Sequence, residues 1–242
     1  MSIQFINKGG GKTILPDGTA FRGSTFTAFE LNNFDISELT SMSTFLTECI
    51  NLTSLDWSNI DLSNITNYDY ICNNCSNITT INLNNTKLGS GSMQAAFAGC
   101  SNLASINLSN TYKIKPTSMG SMFFGDESLV TINLADFDTS SCTYISNLFK
   151  NCTSLENIDI SHFDLSNINN SYTNYQNIVQ GCTNLTNNSL NSILKAFTTA
   201  SKIVTSSYKR LSRLGLTQEQ ATTCTGLSNW DELNALGWST GY

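Results

Sequence analysis

Charged side chains are scarce in this chain: they make up 12% of its 242 residues, about half the usual share. Lysine and arginine together number 12 against 18 acidic residues, for a net charge of −6, and the basic residues form no block. Nucleic-acid binding rests on clustered basic side chains, so a nucleic-acid partner is not expected. An anionic membrane surface is disfavoured on the same ground. No apolar run approaches the roughly 18–20 residues that span a bilayer, and no membrane insertion is expected. The first dozen residues carry no apolar core of a signal peptide, and neither end carries a lipidation signal. Either the chain stays in the cytoplasm, or it leaves by a route that needs no signal, such as lysis, or a leader has been removed from it.

Histidine is nearly absent. With His162 alone, no Gly-x-Ser-x-Gly and no grouped acids, no catalytic triad or metal site is recognisable. No catalytic residue, metal or cofactor is therefore expected, and the chain reads as no enzyme. Gly9, Gly10, Gly11, Lys12 and Thr13 mimic the end of a phosphate loop. The required first glycine would fall at Ile6, however, and no strand–loop–helix context follows, so the stretch reads as a connector. Cys72 and Cys75 have zinc-like spacing but no second pair and no nearby histidine.

What the chain has instead is repetition. Gly23, Cys49, Cys75, Cys100, Asp126, Cys152 and Cys182 anchor copies of one pattern, at intervals of 26, 26, 25, 26, 26 and 30 residues. The last interval holds a four-residue excess near Asn169–Thr173. After the anchors come sets such as Leu52/Leu55/Trp57, Ile78/Ile81/Leu83, Leu103/Ile106/Leu108 and Leu155/Ile158/Ile160. The last two members alternate with a polar residue, which predicts a short strand with one buried face. Before the anchors, at −7, −4 and −3, lie sets such as Met42/Phe45/Leu46 and Met119/Met122/Phe123. That spacing predicts a helix of about two turns. A unit of this size cannot bury its own apolar face, so neighbouring units must stack, with their strands in one parallel sheet.

Seven of the eight cysteines fall on positions held elsewhere by core residues and are expected to be small buried thiols. Stacked anchor cysteines would lie close enough to bridge, so pairing stays open. Residues 1–22 are expected to cap or attach the stack, with Ile3, Phe5, Ile14, Leu15 and Phe21 covering its open end. Residues 23–186 form the solenoid. In 187–242 the period stops. Helices are expected over Ser189–Ala200 with Ser189 as N-cap, over Tyr208–Leu214, from a Thr217/Gln220 capping box, and from Ser228 with Asp231 to a Gly237 C-cap.

The pattern Cys-x-x-Leu-x-x-Leu-x-Leu, then Phe-Asp-Thr/Leu-Ser, then Met-x-x-[Met/Phe/Leu]-Phe-x-x-Cys resembles the BspA-like leucine-rich repeats of bacterial surface proteins. It covers roughly residues 20–185, most clearly Leu129–Cys152. It departs at Gly23 and Asp126, at the Thr86–Gly91 turn, which is one residue short, and at Tyr112–Pro116, which lacks Phe-Asp-Thr-Ser. The resemblance implies an α/β leucine-rich-repeat solenoid of about seven coils with a parallel sheet on one face and a helical C-terminal cap. It also implies surface recognition or adhesion. The opening dozen residues and the Trp-rich tail look like the ends of phage and prophage structural proteins. The expected role is therefore a tail-associated virion protein in host attachment; the alternative is a bacterial surface adhesin binding host protein or glycan.

One polar position faces out between the last two apolar residues of each strand: Glu30, Asp56, Asn82, Asn107, Asn133 and Asp159. Stacked, these form a column of amides and acids suited to a protein or glycan receptor on a cell surface. The alternative is a solvated ladder that only keeps the face soluble. Further partners implied are other virion proteins and a second copy of the chain.

Overall fold

The computed structural model describes residues 12–18, 20–112, 114–168, 171–200 and 209–242. Ile3, Phe5, the three consecutive glycines, Asn169 and Asn170 at the expected insertion, and Tyr208 lie outside the described residues.

The alternating segments form very short parallel strands. β1 (Thr13–Ile14) pairs with β2 (Phe34–Asp35). β3 (Ser54–Asp56), β5 (Thr80–Asn82) and β7 (Ser105–Asn107) make a three-stranded sheet in register, with Leu55, Ile81 and Ile106 facing inward. β4 (Asp61–Leu62) pairs with β6 (Lys87–Leu88) on the flank, and β8 (Thr131–Ile132) with β9 (Asn157–Ile158). From β3 onward each partner is one repeat away, so the chain is a parallel-sheet solenoid. Strand pairing supports about four turns, not the seven coils expected. At the first unit, Leu31–Asn33 curls into a 3-10 turn where the strand should continue. After Cys182 a helix follows instead of a strand. A two- or three-residue strand has no stability without a hydrogen-bonded neighbour, so the pattern fails at the ends.

The opposite side is not helical, which corrects the expectation drawn from the −7, −4, −3 spacing. It is a series of turns in which every fourth residue is left-handed, as at Thr44 (φ 58°) and Glu48 (φ 61°), or Tyr70 and Asn74 (both φ 59°). Alternate N–H groups point along the stack. Those of Met42, Thr44, Leu46 and Glu48 donate to the carbonyls of Asn67, Asp69, Ile71 and Asn73 at 2.7–2.9 Å. Tyr68, Tyr70, Cys72 and Asn74 repeat this to Ser92, Gln94, Ala96 and Ala98. The N–H groups between them close local turns, as Phe45 does to Met42. The apolar residues still point inward, and Phe97, Phe123 and Phe149 stack with centroids 5.8 and 5.6 Å apart. Over eight residues a period of four and one of 3.6 give the same inward set.

All eight cysteines are buried free thiols. The anchor thiols also donate to the preceding coil: Cys75 to the Leu46 carbonyl, Cys100 to that of Cys72, Cys152 to that of Phe123, and Cys182 to that of Phe149, at 2.9–3.2 Å. The short coil is accommodated by glycine. A Cβ at Gly89 would lie 2.0 Å from the Ile65 carbonyl oxygen, and one at Gly91 would lie 1.9 Å from that of Thr66.

Beyond Cys182 the chain is mixed rather than the helical cap expected. The helix α1 spans Asn187–Ala200, α2 Gln218–Cys224 and α3 Trp230–Ala235. Between α1 and α2, Leu211–Leu214 is a 3-10 turn. Its region extends the turn-side ladder, receiving the N–H groups of Asn177 at Arg213 and Val179 at Leu214. Ser189 is not an N-cap: α1 starts two residues earlier, and the Thr186 hydroxyl accepts the Ser189 N–H. Ser189 instead faces β9. Its hydroxyl accepts the Ile158 N–H at 3.0 Å and donates to the Glu156 carbonyl at 2.8 Å, while Ser192 and Thr199 take the N–H groups of Ile160 and Leu165. The open backbone edge of the last strand is thus bonded by side chains. The Thr217/Gln220 capping box is present. Ser228 does not cap α3, which follows Asn229; its hydroxyl bonds Asn191. After α3, the N–H groups of Gly237 (φ 90°) and Trp238 return to the carbonyls of Asn234 and Leu233, a Schellman ending. At the other end Leu15 is buried, but Ile14 is half-exposed.

Candidate functional site

The strand ends set the candidate column. Asp56, Asn82 and Asn107 close β3, β5 and β7 and are Cα partners in register. Asn82 Nδ2 donates to Asp56 Oδ1 at 3.2 Å. Asn133 and Asp159 stand one residue beyond β8 and β9. Glu30 precedes the 3-10 turn and accepts from Asn33 Nδ2 at 3.0 Å. All six face outward, with Asn82 the least exposed.

Five of the six also do structural work that periodicity alone did not reveal. Asp56, Asn82, Asn107, Asn133 and Asp159 each accept, through Oδ1, the N–H two residues on, at 2.9–3.1 Å. These Asx turns end each strand. The Ser58 N–H and hydroxyl lower the Asp56 carboxyl, and Ser161 does the same for Asp159, so both stay ionised near neutrality.

The face is not one continuous trough. Glu30 and Asp56 share an open groove with Asn32 and Ser58. Asn133 and Asp159 share another, of about 340 Å³, with Asn157, His162 and Asn188 at the start of α1. Asn82 and Asn107 lie on the sheet between them, and β7 and β8 form no strand ladder. His162 Nε2 meets the Leu134 carbonyl at 3.0 Å, and the ring lies near enough to Asp159 to help lower that carboxyl. Among the described residues, no three His, Cys, Asp or Glu side chains gather as a metal site requires.

A second column escaped the sequence reading. Asp35, Asp61, Asp138 and Asp164 accept the N–H groups of Ser37, Ser63, Ser140 and Ser166 along the flank. The recurring Asp-x-Ser was its signal. Two lysines bridge it, Lys87 to Asp61 at 3.0 Å and Lys115 to Asp138 at 3.3 Å. The serine bonds, then the lysines, hold both bridged carboxyls down to about 2.

A family model described as "Mycoplasma protein of unknown function, DUF285" matches residues 18–89 and 91–212, well over half of the chain. The chain belongs to the DUF285 family. The two matched stretches meet at Ser90, between the glycines of the short coil, so the DUF285 pattern runs through the solenoid and into the 3-10 turn at Leu211–Leu214. α2 and α3 lie beyond the DUF285 match. No curated protein and no solved structure matches the chain.

Proposed function

We propose that this chain is a non-enzymatic recognition module of the BspA-like leucine-rich type. In this reading, residues 187–242 close the stack, and the sheet face meets a receptor on a cell surface. Its place is a phage particle, near the tail, in host attachment. The observation that carries the reading is the outward column of Asp56, Asn82 and Asn107. It lies on a face of paired strands and keeps amide and carboxylate groups turned to solvent after each has spent one oxygen on its own turn. Rigidly spaced polar groups on an open sheet suit a hydroxyl-rich or peptide ligand. The two resemblances at the chain ends support the virion setting.

The test is binding of the labelled protein to intact Gram-positive cells, comparing wild type with a variant in which Asn82, Asn107 and Asn133 are all alanine. The expected result is loss of cell binding by a variant that still folds, as its circular dichroism shows, though it melts lower because three Asx-turn bonds are gone. Unchanged binding would sink the proposed face. Binding to animal-cell glycoproteins but to no bacterial cell would favour the surface-adhesin reading over the virion one.

A further inference from the structure

Among the described residues, thirteen non-glycine positions have positive φ, and twelve of them belong to three columns set by the repeat. Thr44, Tyr70, Ala95, Ser121, Asn147 and Asn177 form one; Glu48, Asn74 and Asn151 the second; Asn59, Asn85 and Asn110 the third. The thirteenth is Tyr112, at φ 58°. No other coil puts a left-handed residue in its slot, where Lys87 and Asp61 stand in the two coils before. A bulky side chain in that region holds its backbone in an unfavourable conformation. The residue is also 60% exposed. Tyr70 has the same backbone (φ 59°) and is 39% exposed, but it stands in a slot that is left-handed in every coil; Tyr112 is set apart by its slot and its greater exposure.

The ring is anchored where amides converge. The Tyr112 hydroxyl donates to Asn85 Oδ1 at 3.1 Å, and Asn85 Nδ2 donates to Asn59 Oδ1 at 2.7 Å. Asn110 Nδ2 donates to Asn84 Oδ1 at 3.2 Å. The exposed Asn59 Nδ2 and Asn110 Oδ1 keep hydrogen-bonding capacity. Lys87 is held by Asp61 at 3.0 Å, and the Asp136 carboxylate accepts the Thr111 N–H. A ring face attracts the weakly positive C–H groups of a pyranose, and amides beside it bond its hydroxyls. The groups the site offers beside the ring are uncharged amides, and these match a neutral, hydroxyl-bearing ligand.

We propose that Tyr112, with Asn59, Asn85 and Asn110, forms a subsite for a neutral oligosaccharide at the edge of the sheet face. The proposal deepens the recognition reading and rests on it for the setting, but it uses different residues.

The experiment is saturation-transfer NMR and titration with a panel of neutral di- to tetrasaccharides, plus anionic ones as controls. Wild type is compared with Tyr112→Asn, Tyr112→Phe and the Asn82/Asn107/Asn133 triple-alanine variant. Asparagine accepts a positive φ, so Tyr112→Asn should melt no lower than wild type while binding at least tenfold more weakly. Tyr112→Phe keeps the ring and should lose only a few-fold. Equal binding by Tyr112→Asn, or no binding of any neutral saccharide by wild type, overturns the subsite. If the triple variant alone loses cell binding, the sheet-face reading stands and the subsite falls; if Tyr112→Asn alone loses it, the reverse holds.

Discussion

The Asp126 carboxyl accepts the Cys100 backbone N–H at 2.9 Å and leaves its other oxygen buried without a partner. It stands in the column of anchor thiols, next to Cys100 and Cys152. Burial pushes the acid well above its ordinary range, so it is neutral inside the fold, as are the two thiols, raised by burial and by their neighbours. Replacing Asp126 with cysteine should restore the donor used at the other anchors and remove an unsatisfied group, with a gain of about 1–3 kcal/mol in chemical denaturation. A loss of stability would contradict an uncompensated buried carboxyl at this position.

The same residue sets a pH dependence. Its folded pKa lies above its unfolded one, so its contribution is fully present below the unfolded value and is lost as pH rises toward the folded one. The slope reaches about 1.4 kcal/mol per pH unit. Asp61 and Asp138 act in the opposite sense, losing their contribution as pH falls toward about 2. They are common to both proteins, so the difference between wild type and Asp126→Cys isolates Asp126. That difference should widen from about pH 4 upward, measured by urea midpoints across pH; a constant difference would contradict a neutral buried acid.

Gly91→Ala should prevent folding or cost more than about 3 kcal/mol, since backbone rather than a movable side chain blocks the new Cβ. Gly23→Ala is the control. Nothing lies within 4 Å of its added Cβ, and only its φ of 66° opposes it, so its cost should be about 1 kcal/mol. Thermal melts of the two variants decide this.

Ser189→Ala and Ser192→Ala should expose the Ile158 and Ile160 amides to hydrogen exchange while leaving those of β5 protected. Each should cost about 1–3 kcal/mol, because a buried N–H loses its acceptor. Uniform loss of protection along the chain would instead mean that the stack melts as one unit.

Every cysteine is buried; the Cys49 thiol is raised by its bond with Cys75 and then by burial, the Cys100 thiol by burial first, and those of Cys72 and Cys75 end up raised although one neighbouring thiol lowers each. The native protein should therefore resist an aromatic disulfide reagent at pH 8 and release eight thiols in denaturant. Fewer than about seven would show that some are paired.

Much of the strand side was legible in the sequence. An alternating pattern has one physical solution when a neighbour one repeat away offers the same pattern, and Leu55, Ile81 and Ile106 sit as that predicts. The turn side was not, because Met42, Phe45 and Leu46 point inward in a helix and in four-residue turns alike. Ser189 misled because a hydroxyl at a helix start usually serves its own helix, whereas here it serves Ile158. The outward column was found, but its Asx turns were not, since they depend on the chain reversing just after each strand. Tyr112 was visible only as a departure from the repeat. What makes it a candidate is its left-handed backbone.

The turn-side ladder has a consequence for how such a chain comes to be folded. Its rungs, such as Met42 to Asn67 and Tyr68 to Ser92, join residues about one repeat apart, as the strand pairs do. The loop to be closed is of similar length at every step, 24 residues from Tyr68 to Ser92 and 29 from Ile145 to Asn174, however many repeats precede it. Lengthening the stack therefore need not raise the entropic barrier to its assembly, in contrast to sheets that join distant strands. Copying or deleting a whole repeat, as DNA slippage would, changes the length of the rod without posing the chain a harder search.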